Sequence, residues 1–195
     1  MKKRVALLID GGHLRVLSKQ AGFNFDPDFI ERFAHTCVEE SEELLRILYY
    51  DCAPFSGTVK LPVSGERKTY KGDDSWLREL AARDLFAVRL GVLKFRGFSP
   101  RQTPISGEKL SDDDFKPNYE QKGVDMRIGL DIATFSAHKS VDRIILLSGD
   151  TYCVPAMKHA RISGLQVVLI EPPRQHTAKE LTWHADVRRA VKWPA

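Results

Sequence analysis

Two aspartates, far apart in the chain, each close a short apolar run. Asp10 ends Val5-Ala6-Leu7-Leu8-Ile9, and Asp150 follows Ile144-Ile145-Leu146-Leu147 through Ser148-Gly149. If the two runs are neighbouring strands, about 4.8 Å apart, their carboxylates converge on one small volume. Like charges that close resist joint ionisation unless a cation lies between them. A hard divalent ion such as Mg²⁺, which prefers carboxylate and water oxygens, is the natural occupant. For either aspartate alone, a helix cap is an equally simple reading. Gly11, Gly12 and Gly149 beside them favour a ligand, because small residues let one approach the backbone and helix N-termini offer N–H groups to phosphate. Thr151 fits either role, as a cap or as a donor to phosphate.

A third acid comes from Lys122-Gly123-Val124-Asp125, at the start of a helical pattern. Asp125 there either compensates the helix dipole or joins the first two acids. Asp131 lies six residues on, about 240° round the helix at roughly 100° per residue, so both cannot face one point. Asp125 is therefore the candidate ligand and Asp131 a supporting group. Lys122 is placed to meet a phosphate, or is simply solvated.

These residues need strands that deliver them to a common edge. Residues 4–9, 44–50, 143–147 and 165–170 are continuous apolar runs of the kind found in parallel strands covered on both faces. Helical patterns lie between them at 27–40, 122–138, 153–163 and 178–192. Pro155 falls early enough in the third to be tolerated in its opening turn. Strand alternating with helix predicts an α/β fold, an open and mainly parallel sheet with helices on both faces. In such sheets ligands bind beyond the carboxyl ends of the strands, where strand order reverses. The stretch 53–120 differs, mixing Pro, Gly, Ser and charges around a predicted helix at 74–84 and strand at 86–95. It reads as an insertion-bearing middle within one domain spanning 1–195.

The 195 residues carry 30 Lys+Arg against 26 Asp+Glu, and 43% are hydrophobic. That composition suits one globular domain and excludes disordered and collagen-like chains. Cys37, Cys52 and Cys153 are odd in number and form no C-x-x-C motif, so they read as buried thiols. No apolar run approaches the ~18 residues of a membrane span. The N-terminal apolar run stops at Asp10, short of a signal-peptide core of about 7–15 residues, and the protein is expected in the cytoplasm, away from membranes.

Asp10-Gly11-Gly12-His13-Leu14-Arg15, Lys122-Gly123-Val124-Asp125 with Asp131, and Ser148-Gly149-Asp150-Thr151 with Val154-Pro155-Ala156-Met157 together resemble the NYN domain. This domain belongs to the PIN-like nuclease superfamily, and the likeness is to its LabA-type branch. Gly164-Leu165-Gln166-Val167 and Leu181-Thr182-Trp183-His184-Ala185-Asp186 resemble that branch's last strand and closing helix. The likeness covers roughly 4–51 and 121–190 and is weak across 53–120. It implies a Mg²⁺- or Mn²⁺-dependent ribonuclease in which Asp10, Asp125 and Asp150 hold the metal, leaving 5′-phosphate and 3′-hydroxyl ends. Two positions depart from the family pattern. Tyr152 stands where Gly-Asp-x-Asp has its second acid, which removes a ligand and points to a single-metal site. His13 stands where Asn is common, as a substrate contact or an ordinary polar residue at a helix start.

The positive charge is segregated. Lys60, Arg67, Lys68 and Lys71 face only Glu66 in 56–72. Lys94, Arg96, Arg101 and Lys109 face Glu108 in 94–109, interleaved with Phe95 and Phe98. Basic loops with aromatics grip nucleic-acid backbone and stack bases, so Lys94 and Arg96 join Lys122 as candidate RNA contacts. A solvated loop with its Phe side chains buried is the plain alternative. Single-stranded or structured RNA is the expected partner, and a homodimer is compatible with the family. A binding module on the same fold, acting through RNA or protein contacts, is the second reading. A haloacid-dehalogenase-type phosphohydrolase needs Asp-x-Asp after its first strand, and a dinucleotide-binding fold needs Gly-x-Gly-x-x-Gly; Asp10-Gly11-Gly12-His13 is neither.

Overall fold

A computed structural model describes residues 2–105, 109–174 and 177–194. Gly107 and Glu108 of the middle segment lie outside the described residues. The chain runs β1 (Lys3–Asp10), α1 (Gly11–Gln20), α2 (Pro27–Thr36), β2 (Glu42–Cys52), β3 (Gly57–Lys60), β4 (Arg67–Tyr70), α3 (Ser75–Ala81), β5 (Phe86–Pro100), β6 (Phe115–Lys122), α4 (Val124–His138), β7 (Arg143–Leu147), α5 (Val154–Ile162), β8 (Gln166–Glu171), α6 (Lys179–Trp183) and β9 (Val187–Ala190). Seven strands form one sheet in the order β6-β5-β2-β1-β7-β8-β9, all parallel except the β5–β6 pair. The expected α/β architecture is the one observed.

The apolar strands are buried on both faces because alternate residues serve two separate cores. Val5, Leu7 and Ile9 of β1 join Ile47 and Tyr49 of β2 and pack under Leu14, Phe29, Phe33 and Leu80 of α1, α2 and α3. Ala6 and Leu8 join Leu48 and Tyr50 and pack under Ile128, Ile132 and Met157 of α4 and α5. Asp26 caps α2 by accepting the Phe29 N–H at 2.8 Å, with Pro27 at the first helical position. All three cysteines are buried and free. No helix among the described residues is long and apolar enough to cross a membrane.

The C-terminal stretch departs from its sequence pattern. A helix predicted over 178–192 is confined to Lys179–Trp183, and Val187–Ala190 forms a strand paired in parallel with β8. Asp186 decides the change. Its carboxylate accepts the Val167 N–H and pairs with Arg161, both at 2.8 Å, while its own N–H donates to the Val167 carbonyl. This pins the chain to the open edge of β8, where backbone pairing overrides weak helical propensity.

The stretch 53–120 supplies two kinds of structure. α3 and the first part of β5 complete a parallel crossover from β2. Beyond it, β5 extends with β6 as an antiparallel ribbon, and β3–β4 form a separate hairpin beside it. Phe55 bridges the two, with its ring centroid 5.7 Å from Phe95 and 5.5 Å from Tyr119. Phe98 meets Phe95 edge-on at 5.2 Å. These half-buried rings hold the hairpin and ribbon together, so Phe95 and Phe98 are engaged with each other rather than presented to a ligand.

Candidate active site

β1 and β7 are parallel neighbours with Ile9 opposite Leu147, so Asp10 and Ser148-Gly149-Asp150 leave the sheet side by side. From β1 the chain proceeds outward to β2 and β5 on one side, then returns to place β7 on the other. The two aspartates therefore stand at the reversal of strand order, where open α/β sheets bind ligands. Asp125 enters from the first turn of α4, directly after the β5–β6 ribbon.

Each acid is positioned by its backbone. Asp10 caps α1, its Oδ1 accepting the His13 N–H at 3.0 Å, and Ser148 Oγ lies 3.5 Å from its Oδ2. Asp150 Oδ1 accepts the Tyr152 N–H at 2.9 Å and caps a short 3-10 turn, Thr151–Cys153. Ser148 Oγ accepts the Asp150 N–H at 3.1 Å, so one hydroxyl touches both loops. Gly11 is dictated by packing, since a Cβ there would lie 2.3 Å from the Tyr49 hydroxyl. Gly149 likewise gives room to the His13 ring, whose Cε1 a Cβ would meet at 2.4 Å.

The acids sense one another. Burial raises the Asp10 carboxyl above its ordinary value, helped by Asp51 and Asp150, against the His13 and Gly12 backbone N–H groups. Burial raises Asp125 too, followed by the fields of Asp150 and Asp10. The Cys153 thiol, buried beneath Ser148, is pushed up to about 12 and stays protonated. Among the described residues, no lysine or arginine pairs with Asp10, Asp125 or Asp150.

Three other partly or fully buried acids are neutralised by arginine. Asp51, 1% exposed, pairs with Arg15 and accepts from the Tyr49 hydroxyl at 3.0 Å. Asp131 accepts from Tyr50 at 2.9 Å and Arg89 at 3.1 Å, so it faces β2 and β5 rather than the acid group. Glu42 is held by Arg143 and Arg189. Asp51 was not singled out in the sequence, although it too follows an apolar run, Leu44–Tyr50, by the same pattern that marks Asp10 and Asp150.

Asp10 and Asp150 border a cleft of about 750 Å³ lined also by Gly12, His13, Gln121, Thr151 and Lys179; Asp125 is not among its lining residues. Gln121 and Lys179 are additions to the residues marked by sequence. Lys122 and Arg96 both pair with Glu120, which partly neutralises the nearby basic edge; Lys94 lies opposite Glu120 in the β5–β6 register.

The donor set suits a hard cation in charge and chemistry, with three aspartates and a serine hydroxyl at hand. Among the described residues, no three His, Cys, Asp or Glu side chains stand in place around one point. Mg²⁺ does not demand that, since it commonly takes one or two carboxylates and completes its shell with water and substrate phosphate.

The NYN domain matches residues 4–190. The chain belongs to the NYN family. That family falls within the PIN-like nuclease superfamily, which fits an acidic site at the strand ends. In three dimensions, the NYN chain is similar to a protein of unknown function from Vibrio parahaemolyticus, with a TM-score of 0.54 and 20% identity over 97% of this chain and 93% of that one. This likeness concerns the fold. No curated protein matches the sequence.

Proposed function

We propose that this NYN protein is a divalent-cation-dependent ribonuclease of the LabA-type branch. One observation carries the reading: Asp10, Asp150 and Asp125, from β1, the loop after β7 and α4, lie within reach of one another's fields with no lysine or arginine paired to them among the described residues, while Asp51, Asp131 and Glu42 each have an arginine. Asp10 and Asp150, which line the cleft, would hold one Mg²⁺ or Mn²⁺, with Asp125 acting on it through a coordinated water. A bound cation supplies Lewis acidity toward a phosphate oxygen and lowers the pKa of a coordinated water. The protein's own groups supply the geometry. Ser148 fixes the Asp10 and Asp150 loops relative to each other, and the Tyr152 N–H orients the Asp150 carboxylate. Lys179 and Thr151, on the cleft wall, offer donors to the phosphodiester oxygens. Lys94, Arg96 and Lys122 on the β5–β6 ribbon, which stay net positive after pairing with Glu120, would meet the RNA backbone.

A second reading, an RNA- or protein-binding module with weak or no catalysis, is favoured by Tyr152. This residue occupies the place of a family acid and is 79% exposed. Cleavage of single-stranded and structured RNA with Mn²⁺ or Mg²⁺ separates the two. The nuclease reading expects cleavage that EDTA and Asp10→Asn both abolish, with the circular dichroism spectrum unchanged. Asp10→Asn protein cutting as fast as the parent would refute it. RNA binding without cleavage under every metal condition would establish the binding module.

A further inference from the structure

Next to the acid cleft lies a separate cavity of about 400 Å³, within the range of small-ligand pockets. One wall is aromatic: Phe25 and Trp76 meet nearly edge-on, with ring centroids 6.1 Å apart. The Arg15 guanidinium lies over both, 5.2 Å from the Phe25 centroid and 5.8 Å from that of Trp76. Asp51, 1% exposed, holds this guanidinium from below. Its plane is thereby fixed before any ligand arrives, which an ammonium could not reproduce. Leu93 forms part of the facing wall, Lys19 supplies a second positive charge, and Gln121 contributes an amide with both donors and an acceptor.

Flat π-surfaces, a guanidinium plane and an amide suit a planar heteroaromatic ring with a hydrogen-bonding edge. Nucleobases stack on aromatic rings and arginine planes and are read along their edges by amides. A purely aliphatic ligand would leave Gln121 and the Arg15–Asp51 pair unanswered. The location supplies the second argument. Gln121 lines both this cavity and the acid cleft, and a Cβ at Gly12 would lie 3.2 Å from its amide atoms. One side chain therefore separates the two spaces.

We propose that this cavity receives the base of the nucleotide next to the scissile phosphate and gives the enzyme a base preference. The proposal rests on the nuclease reading of the acid cleft. Its test reads binding in EDTA, independently of turnover. The chain has three tryptophans, so Trp183→Phe with Trp193→Phe leaves Trp76 as the sole indole. Adenosine, guanosine, cytidine and uridine 5′-monophosphates are titrated against its fluorescence, with ribose 5-phosphate as the baseless control. Saturation-transfer NMR on the unmodified chain reads the same binding without substitutions.

Saturable quenching by at least one nucleotide is expected, with about tenfold discrimination among the four and no response to ribose 5-phosphate. Arg15→Lys and Gln121→Ala are each expected to weaken the preferred nucleotide about tenfold, within the range of stacking and edge contacts. No nucleotide binding by either method up to about 10 mM, weaker than any useful subsite, would overturn the proposal. So would equal binding of ribose 5-phosphate, or unchanged affinity in both variants. RNA cleavage without nucleotide binding would remove the base site alone and leave the nuclease standing. Nucleotide binding without cleavage would support the base site and refute the nuclease reading.

Discussion

Asp10→Asn separates the cost of the acidic cleft from its use. Asparagine serves as well as aspartate at a helix N-cap, so the bond from the His13 N–H survives while the charge is removed. Without metal, that charge works against folding. Burial raises the Asp10 carboxyl in the folded state, so the native protein keeps this proton to higher pH than the unfolded chain does. The stabilising contribution is complete below the unfolded value and is lost as pH rises through the folded one. Near pH 7 in EDTA, the variant should therefore melt at or above the parent temperature, and the difference should fade on acidification. A cation held by Asp10 and its neighbours reverses the order. At a free concentration about 100 times Kd, binding stabilises the native state by about 2.7 kcal/mol. For a chain of this size each kcal/mol moves Tm by roughly 2–4 °C, so Mn²⁺ should raise the parent Tm by about 5–11 °C. The variant should gain little. Differential scanning fluorimetry at pH 7, in EDTA and across a Mn²⁺ titration, gives all four melting temperatures. Equal Mn²⁺ shifts in parent and variant, or none in either, would refute the placement of the metal at Asp10.

Tyr152→Asp restores an acid two residues beyond Asp150 at a site that is 79% exposed. Its stability in EDTA should stay within about 0.5 kcal/mol of the parent, while its Mn²⁺-induced Tm shift grows; an unchanged shift would show that position 152 does not face the metal. Arg15→Met strips the countercharge from Asp51 and should cost about 3–5 kcal/mol in urea unfolding, most of it recovered by adding Asp51→Asn. A double variant no more stable than the single one would refute the charge argument. Gly11→Ala forces a methyl group to within 2.3 Å of the buried Tyr49 hydroxyl and 2.8 Å of the Tyr50 carbonyl. Overpacking there should cost about 1–3 kcal/mol, read by the same unfolding curves.

The architecture was legible because β1, β2, β7 and β8 are continuous apolar runs, and only strands covered on both faces need that pattern. Asp10 and Asp150 were legible for the same reason, since a polar residue that closes such a run is delivered to the sheet's edge; Asp51, which closes β2 in the same way, was passed over. β9 was not legible. Val187–Ala190 becomes a strand because β8 has an open edge and Asp186 locks onto the Val167 N–H, a contact between residues 19 apart in sequence. Nor could the fate of Phe95 and Phe98 be read. Whether an aromatic in a basic segment meets a base or another ring depends on Phe55, brought alongside by the β3–β4 hairpin and the β5–β6 ribbon.

The hardest thing to read in the sequence is which acids are left without a partner, and the candidate function turns on that. Asp51 and Asp10 stand at the ends of adjacent strands and look equivalent as residue types. They differ because Arg15, 36 positions before Asp51, reaches it from the first helix. Arg89 reaches Asp131 across 42 positions, and Arg189 reaches Glu42 across 147. Neutralising each of these acids is thus a long-range event in this fold. At the strand ends, Asp150 adds to the burial cost of Asp10, and Asp10 and Asp150 add to that of Asp125, with no arginine or lysine paired to them among the described residues. Leaving a charge cluster uncompensated costs stability unless something from solution completes it. A cation there is what the proposed ribonuclease would need, and it would supply at the strand ends the compensation that arginines supply elsewhere in the sheet.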